Sequence, residues 1–175
     1  MIKFRSLRAD DIEVRIKSVK PTGVFLLLYK NARVDMNILD ETVGAENWQR
    51  EHYECKGNLF CKVGINTNYG TDKPDKWVWK SDCGTESNSD AQKGEASDSF
   101  KRACFNWGIG RELYTSPLIR IEPKKCNIQN GKCHDRFEVE KIKIENGRIV
   151  GLSIVNNSIK TDDIKVKRCF VWSAK

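Results

Sequence analysis

Apolar positions along the chain fall into short blocks whose spacing changes character from one segment to the next. In SLRADDIEVRIKSVKPTG, Leu7, Ile12, Ile16 and Val19 recur roughly as one helix face would, behind a cap-like Ser6 and ahead of Pro21 and Gly23. A first helix is expected there. VFLLLYK is short and apolar enough for a buried strand, and ARVDMNILDETVG reads as a helix ending at Gly44. The period then changes. WQREHYEC (48–55) and LFCKVGIN (59–66) flank the turn KGN and read as a hairpin; after the loop TDKPDK, WVWKSDC (77–83) supplies a third strand. The polar GTESNSD leads into KGEASDSFKRACFNWGIGRELY, where Ser89 and Gln92 have capping-box spacing. Strand, strand, strand, helix predicts an antiparallel meander that needs a helix over one face.

Past Pro117 the texture shifts again. RFEVEKIKIENGRIVGLSIVN alternates about Asn146-Gly147, a type I′ hairpin signal, and KVKRCFVW suggests one more strand. Residues 121–135 read as linker or loop. The expected class is α+β: a three-stranded antiparallel meander packed on a long helix, with a C-terminal β-hairpin appendage. The expected division is a core over 1–120 and a β-rich extension over 121–175.

On the long helix, Ala96, Phe100, Ala103, Cys104 and Trp107 fall in one narrow stripe at 100° per residue. Lys101 lies on its flank, Arg102 further round, and Phe105 points away from it. One account is a solvated charged face with a stray aromatic. The other is an interface, with Phe105 covered by a neighbouring subunit and the cations aimed at phosphates. Gly108 and Gly110 permit a sharp exit. GIG is longer than a simple cap needs and could bring backbone close to a ligand or partner. It lacks a following Lys-Ser/Thr and a preceding strand, so it is not a phosphate-binding P-loop.

Composition narrows the classes. The chain of 175 residues is long enough for one substantial core. Its longest apolar run, VFLLLY, is far too short to span a bilayer, and its start lacks the apolar segment of a secretory signal. A cytosolic protein is expected. The 7 cysteines are scattered without a CxxC pair and read as small hydrophobes. Cys126 and Cys133-His134 cluster as C-x6-C-H but lack a fourth ligand, so no metal or cofactor is expected. Of the net charge of +7, residues 117–175 contribute +6, with 13 basic and 7 acidic residues. That suits a polyanionic partner but is also common among proteins without one. His52 and His134 sit in no nucleophile motif, and Asp10, Asp11 and Glu13 look like an acidic first helical turn rather than a nuclease site. Catalysis is not expected.

The residues KGEASDSFKRACFNWGIG, preceded in order by LR, ARV, VGAENW and DCG, resemble the Rad-fifty-two-type single-strand annealing proteins, especially their bacteriophage members. The resemblance covers about residues 5–120. It implies a β-β-β-α core assembling into rings or filaments, with single-stranded DNA in a basic groove between the sheet hairpin and the helical part and no need of ATP. It also implies DNA-binding roles for the pair Lys101 and Arg102 and for Arg33, just ahead of the first core helix. The loop after DCG is shorter than in eukaryotic members, so their second, outer DNA site is not carried over. Residues 121–175 have no counterpart in it.

Holding a strand by its phosphates leaves base edges free to test a complement, and Lys and Arg donors supply that hold. Lys93, Arg111, Lys62 and Lys80 are secondary candidates, though Lys62 and Lys80 on central strands also suit a solvated face. Of the tryptophans, Trp48 and Trp107 are expected in the core, and Trp77 and Trp79 on one strand face. The expected partners are single-stranded DNA and further copies of the chain. A single-strand binding protein or phage exonuclease is a further candidate, and no membrane is implied. The alternatives are a non-specific strand protector or RNA-binding module without annealing, or a protein-interaction scaffold.

Overall fold

The computed structural model describes residues 2–85 and 91–174. A 3-10 turn at Ala9–Asp11 precedes strands β1 (Glu13–Lys20) and β2 (Gly23–Tyr29), then helix α1 (Ala32–Val43). Strands β3 (Trp48–Cys55), β4 (Asn58–Asn66) and β5 (Trp77–Cys83) follow, then helix α2 (Ala91–Trp107) and a 3-10 turn at Arg111–Thr115. The remainder holds β6 (Ile119–Ile121), the short β7 (Ile128–Gln129) and β8 (Lys132–Cys133), β9 (Phe137–Glu145) and β10 (Arg148–Asn156). It closes with a short helix α3 (Ile164–Lys167) and β11 (Arg168–Ser173). The class is mixed α+β with antiparallel pairing in its sheets.

Residues 13–20 form a strand where a helix is expected. Glu13, Arg15 and Lys17 alternate with Val14 and Ile16, a period of two. A bulge between Ile16 and Ser18 then shifts Val19 by one place, which makes the apolar spacing imitate a helix. The capping box expected at Ser89 falls outside the described residues.

Contacts divide the chain into two units, each discontinuous in sequence. One comprises Met1–Arg5 and Asn31–Gly110, the other Ser6–Lys30 and Arg111–Lys175.

In the first unit β3, β4 and β5 pair in that order. Lys56 and Gly57, with φ of 54° and 74°, make the tight β3–β4 turn. Cys61, Val63 and Ile65 of β4 are fully buried, as are Ile38 and Leu39 of α1 and Phe100, Ala103 and Cys104 of α2. Trp107 Nε1 donates to the Val63 carbonyl at 3.0 Å, and His52 Nε2 lies 3.1 Å from the Ala96 carbonyl oxygen. These contacts put α2 on the face of the sheet that carries His52 and Val63. The N-terminal segment joins the same unit through Arg5 Nε, 2.6 Å from Glu41 Oε2.

The second unit is a six-stranded sheet in the order β11-β10-β9-β1-β2-β6. The β9–β10 hairpin turns at Asn146-Gly147, both at positive φ. It is not an appendage, because β9 pairs with β1 through Glu13 and Glu138 and so joins the N-terminal strands to the C-terminal ones. The two edge strands, β11 and β6, approach each other, so the sheet curls around its buried side chains. Val24, Leu26, Ile119, Ile121, Leu152 and Ile154 fill that interior. Residues 121–135, expected as loop, include the end of β6, a 3-10 turn and the β7–β8 hairpin. Asn156 is buried and fixes this region by donating to Asp135 Oδ2 at 2.7 Å and the Lys125 carbonyl at 3.2 Å.

Candidate nucleic-acid interface

Antiparallel register decides which strand cations share a face. Lys80 lies opposite Val63, and Lys62 opposite Ser81, so the two lysines project from opposite sides of the sheet. Lys80 is on the α2 side. Its Nζ donates to the Asn106 carbonyl at 2.9 Å and sits 4.6 Å from the Trp107 ring centroid. Asn106 Nδ2 in turn donates to the Ser81 carbonyl at 3.0 Å. The last turns of α2 are thus tied to the β5 edge by polar bonds.

Arg102 stands on the same edge. It is exposed, with Nε 3.4 Å from Asp82 Oδ1, and Asp82 also accepts from the Cys83 backbone N–H at 2.8 Å. Lys101, one residue earlier, is held differently. Its side chain is only 12% exposed, and Nζ lies 3.8 Å from Asp98 Oδ1. Asp98 Oδ2 accepts from both the backbone N–H and the hydroxyl of Thr85, at 3.1 Å each. Lys80, Arg102 and Lys101 are therefore seated along one border of β5 and α2, each beside a carbonyl or carboxylate. The exposed Arg102–Asp82 pair is worth about 0–1 kcal/mol, so a phosphate can compete for Arg102 at little cost. Arg102 is the more accessible of the helix pair, and its planar fork suits phosphate.

The other expected residues occupy different turns of the chain. Arg33 is in the exposed first turn of α1 rather than ahead of it, where Asn31 Oδ1 caps the Arg33 backbone N–H at 2.8 Å. Lys93 is exposed in the first turn of α2, roughly 12 Å along the axis from Lys101. Arg111 is exposed and belongs to the second unit. Phe105 is half-buried rather than fully outward.

Lys62, on the far face of the sheet, lies 3.0 Å from Glu51 Oε2 and 5.1 Å from the Trp79 ring centroid. There Trp77 and Trp79 sit 6.3 Å apart between centroids, while Tyr53 stacks on Phe60 at 5.5 Å. Trp77 and Trp79 share the face as expected. Tyr53 and Phe60 join them through the β3–β4 register, a relation that strand spacing within either segment does not express. Beneath the opposite face, burial pushes the Cys61 thiol up to about 11, which keeps it protonated and unreactive.

GIG performs a definite local task. Gly108 N–H donates to the Phe105 carbonyl at 2.9 Å and Ile109 N–H to the Cys104 carbonyl at 3.2 Å, the two bonds of a Schellman stop. Gly108 supplies the positive φ, 102°, and Ile109 is fully buried. Among the described residues no group of three or more His, Cys, Asp or Glu side chains converges as a metal site, and no helix is long and apolar enough to cross a membrane.

The family model for the Rad52/22 family double-strand break repair protein matches residues 5–133. The match includes β1 to β5, both long helices and the Lys80–Arg102 border. No curated protein and no solved structure matches the chain.

Proposed function

This chain belongs to the Rad52/22 family of double-strand break repair proteins, and from that premise we propose that it binds single-stranded DNA and anneals complementary strands without ATP. The family match over most of the chain is the observation that carries this reading. The border of β5 and α2 supports it, because Lys80, Lys101 and Arg102 gather where one strand edge meets one helix. On this reading β3, β4, β5 and α2 are the family's β-β-β-α core, and phosphates lie along that border, with Arg33 and Lys93 extending the contact. Lys62, on the far face of the sheet, and Arg111, in the second unit, remain candidate contacts outside that border.

One subunit with a few such cations holds DNA weakly. Repeating them around a ring or along a filament multiplies the hold by avidity. Phe105 is the residue we assign to the contact between copies. No covalent step is assigned to the protein, and no cofactor enters. The motifs' resemblance to the bacteriophage members supports the reading that it is a phage-encoded protein acting in the cytoplasm of a host cell. A single-strand binding protein or a phage exonuclease would be its natural protein partner.

The test is annealing of two complementary labelled oligonucleotides without ATP, by the native protein and by Lys101→Ala/Arg102→Ala. Fast annealing that is lost in a folded double variant supports both function and site. Tight binding with slowed pairing would make the protein a strand protector, and indifference to the substitutions would move the DNA path elsewhere.

A further inference from the structure

The second unit carries a surface that the annealing reading does not use. On β2, Val24, Leu26 and Leu28 turn into the curled sheet, so Phe25, Leu27 and Tyr29 stand on its outer side. A strand face open to water ordinarily alternates to polar residues, and this one does not. Leu27 is 48% exposed, and the two rings are half-exposed.

Cations flank the row on both sides. Arg15 of β1 lies opposite Leu27, with its guanidinium carbon 3.5 Å from the Tyr29 ring centroid. The Lys20 ammonium is 5.3 Å from the Phe25 ring centroid, and Lys17 is exposed at the β1 bulge. Across the other edge of β2, Arg120 of β6 lies opposite Phe25 and is exposed. These three strands hold four cations and a single carboxylate, Glu13, which lies 3.0 Å from Arg15.

Rings and a stacked guanidinium offer flat faces to unstacked bases, and flanking cations offer charge to the phosphates between them. A protein partner fits less well, because lysines are depleted from protein interfaces and here Lys17 and Lys20 border the rings. A duplex fits less well too, because its bases are already stacked on one another.

We propose that the outer face of β1, β2 and β6 is a second contact surface for single-stranded DNA. Bases stack on Phe25 and on the Arg15 guanidinium over Tyr29, Leu27 packs against their edges, and phosphates meet Lys17, Lys20 and Arg120. The choice of DNA over RNA rests on the reading proposed above; the stacking face itself does not.

The experiment is fluorescence anisotropy of labelled oligothymidylate with the full chain, titrated at several salt concentrations. Lys17→Gln/Arg120→Gln alters two exposed side chains and should weaken binding and flatten the salt dependence by about 0.7 in log–log slope for each lost phosphate contact. Phe25→Ala/Tyr29→Ala, checked for native circular dichroism, should weaken binding about thirtyfold or more with the slope unchanged. The Lys101→Ala/Arg102→Ala variant should keep residual affinity that either change then removes.

Native affinity and slope in both outer-face variants, beside clear loss in Lys101→Ala/Arg102→Ala, would overturn this proposal and leave the annealing reading standing. No binding by the native chain would overturn both. Tighter binding of oligouridylate, or altered self-association in place of altered DNA affinity, would also overturn the assignment to single-stranded DNA.

Discussion

Glu140 on β9 receives hydrogen bonds from two other strands. Ser153 Oγ of β10 donates at 2.5 Å, and the Arg168 guanidinium of β11 forks onto both carboxylate oxygens. The Arg168 bond, then the Ser153 bond, holds the Glu140 carboxyl down at about 2, against an ordinary value of 4.5. The carboxylate is thus bound more tightly folded than unfolded. Its stabilisation is complete above about pH 4.5 and fades as pH falls towards 2, where the folded group also takes up its proton. Glu140→Gln should therefore lower the melting temperature at neutral pH, with the gap from the native protein closing as acid is added. A gap that stays constant down to the acid end would mean that the charge contributes nothing and only the shape of the side chain matters. Cys126 and Cys169, also on this unit, are pushed up to about 11 and about 12, chiefly by burial. Their thiols behave as packing groups.

Between elements, a close fit joins the end of β5 to α2. A methyl group added at Gly84 would lie 2.2 Å from the Glu95 carbonyl oxygen and 2.9 Å from the Ser99 nitrogen, both helix backbone. Neither can swing aside, so Gly84→Ala should cost about 1–3 kcal/mol and lower the melting temperature by several degrees. A change within error would show that the helix moves freely off the strand end. At this scale the sequence is informative where one period rules a segment. The hairpin of β3 and β4, β5, both long helices and the Asn146-Gly147 turn all follow from local pattern and turn chemistry. It misleads at β1, where a single bulge turns a period of two into a false helical spacing. Lys101 and Arg102 can be singled out from helix geometry, but their carboxylate neighbours Asp98 and Asp82 cannot. Asp82 is twenty residues away on a strand. Likewise Lys62 and Lys80 look equivalent in sequence, and only register assigns them to opposite faces.

For the whole molecule, the proposed assembly rests on Phe105, which is half-buried within a single chain. Phe105→Glu should give smaller species by light scattering, and these should anneal poorly because few phosphates are then held at once. An unchanged mass in a folded variant would remove Phe105 from the subunit contact. The basic excess of residues 117–175 predicts that salt weakens the native protein more steeply than the Lys80–Arg102 border alone would require.

The interleaved chain order of the two units also sets a timetable for synthesis. The segment Asn31–Gly110 leaves the ribosome as a nearly complete unit, able to bury its own core. β1 and β2 emerge before it, yet their sheet is finished only when β9, β10 and β11 arrive. At ordinary elongation rates the early hairpin waits roughly 6–25 s with the edge of β1 unpaired. During that interval the nascent chain presents a sticky strand edge to anything nearby. Slower elongation or chaperone shortage would therefore lower the yield of soluble protein through this hairpin before any later-made segment is at risk.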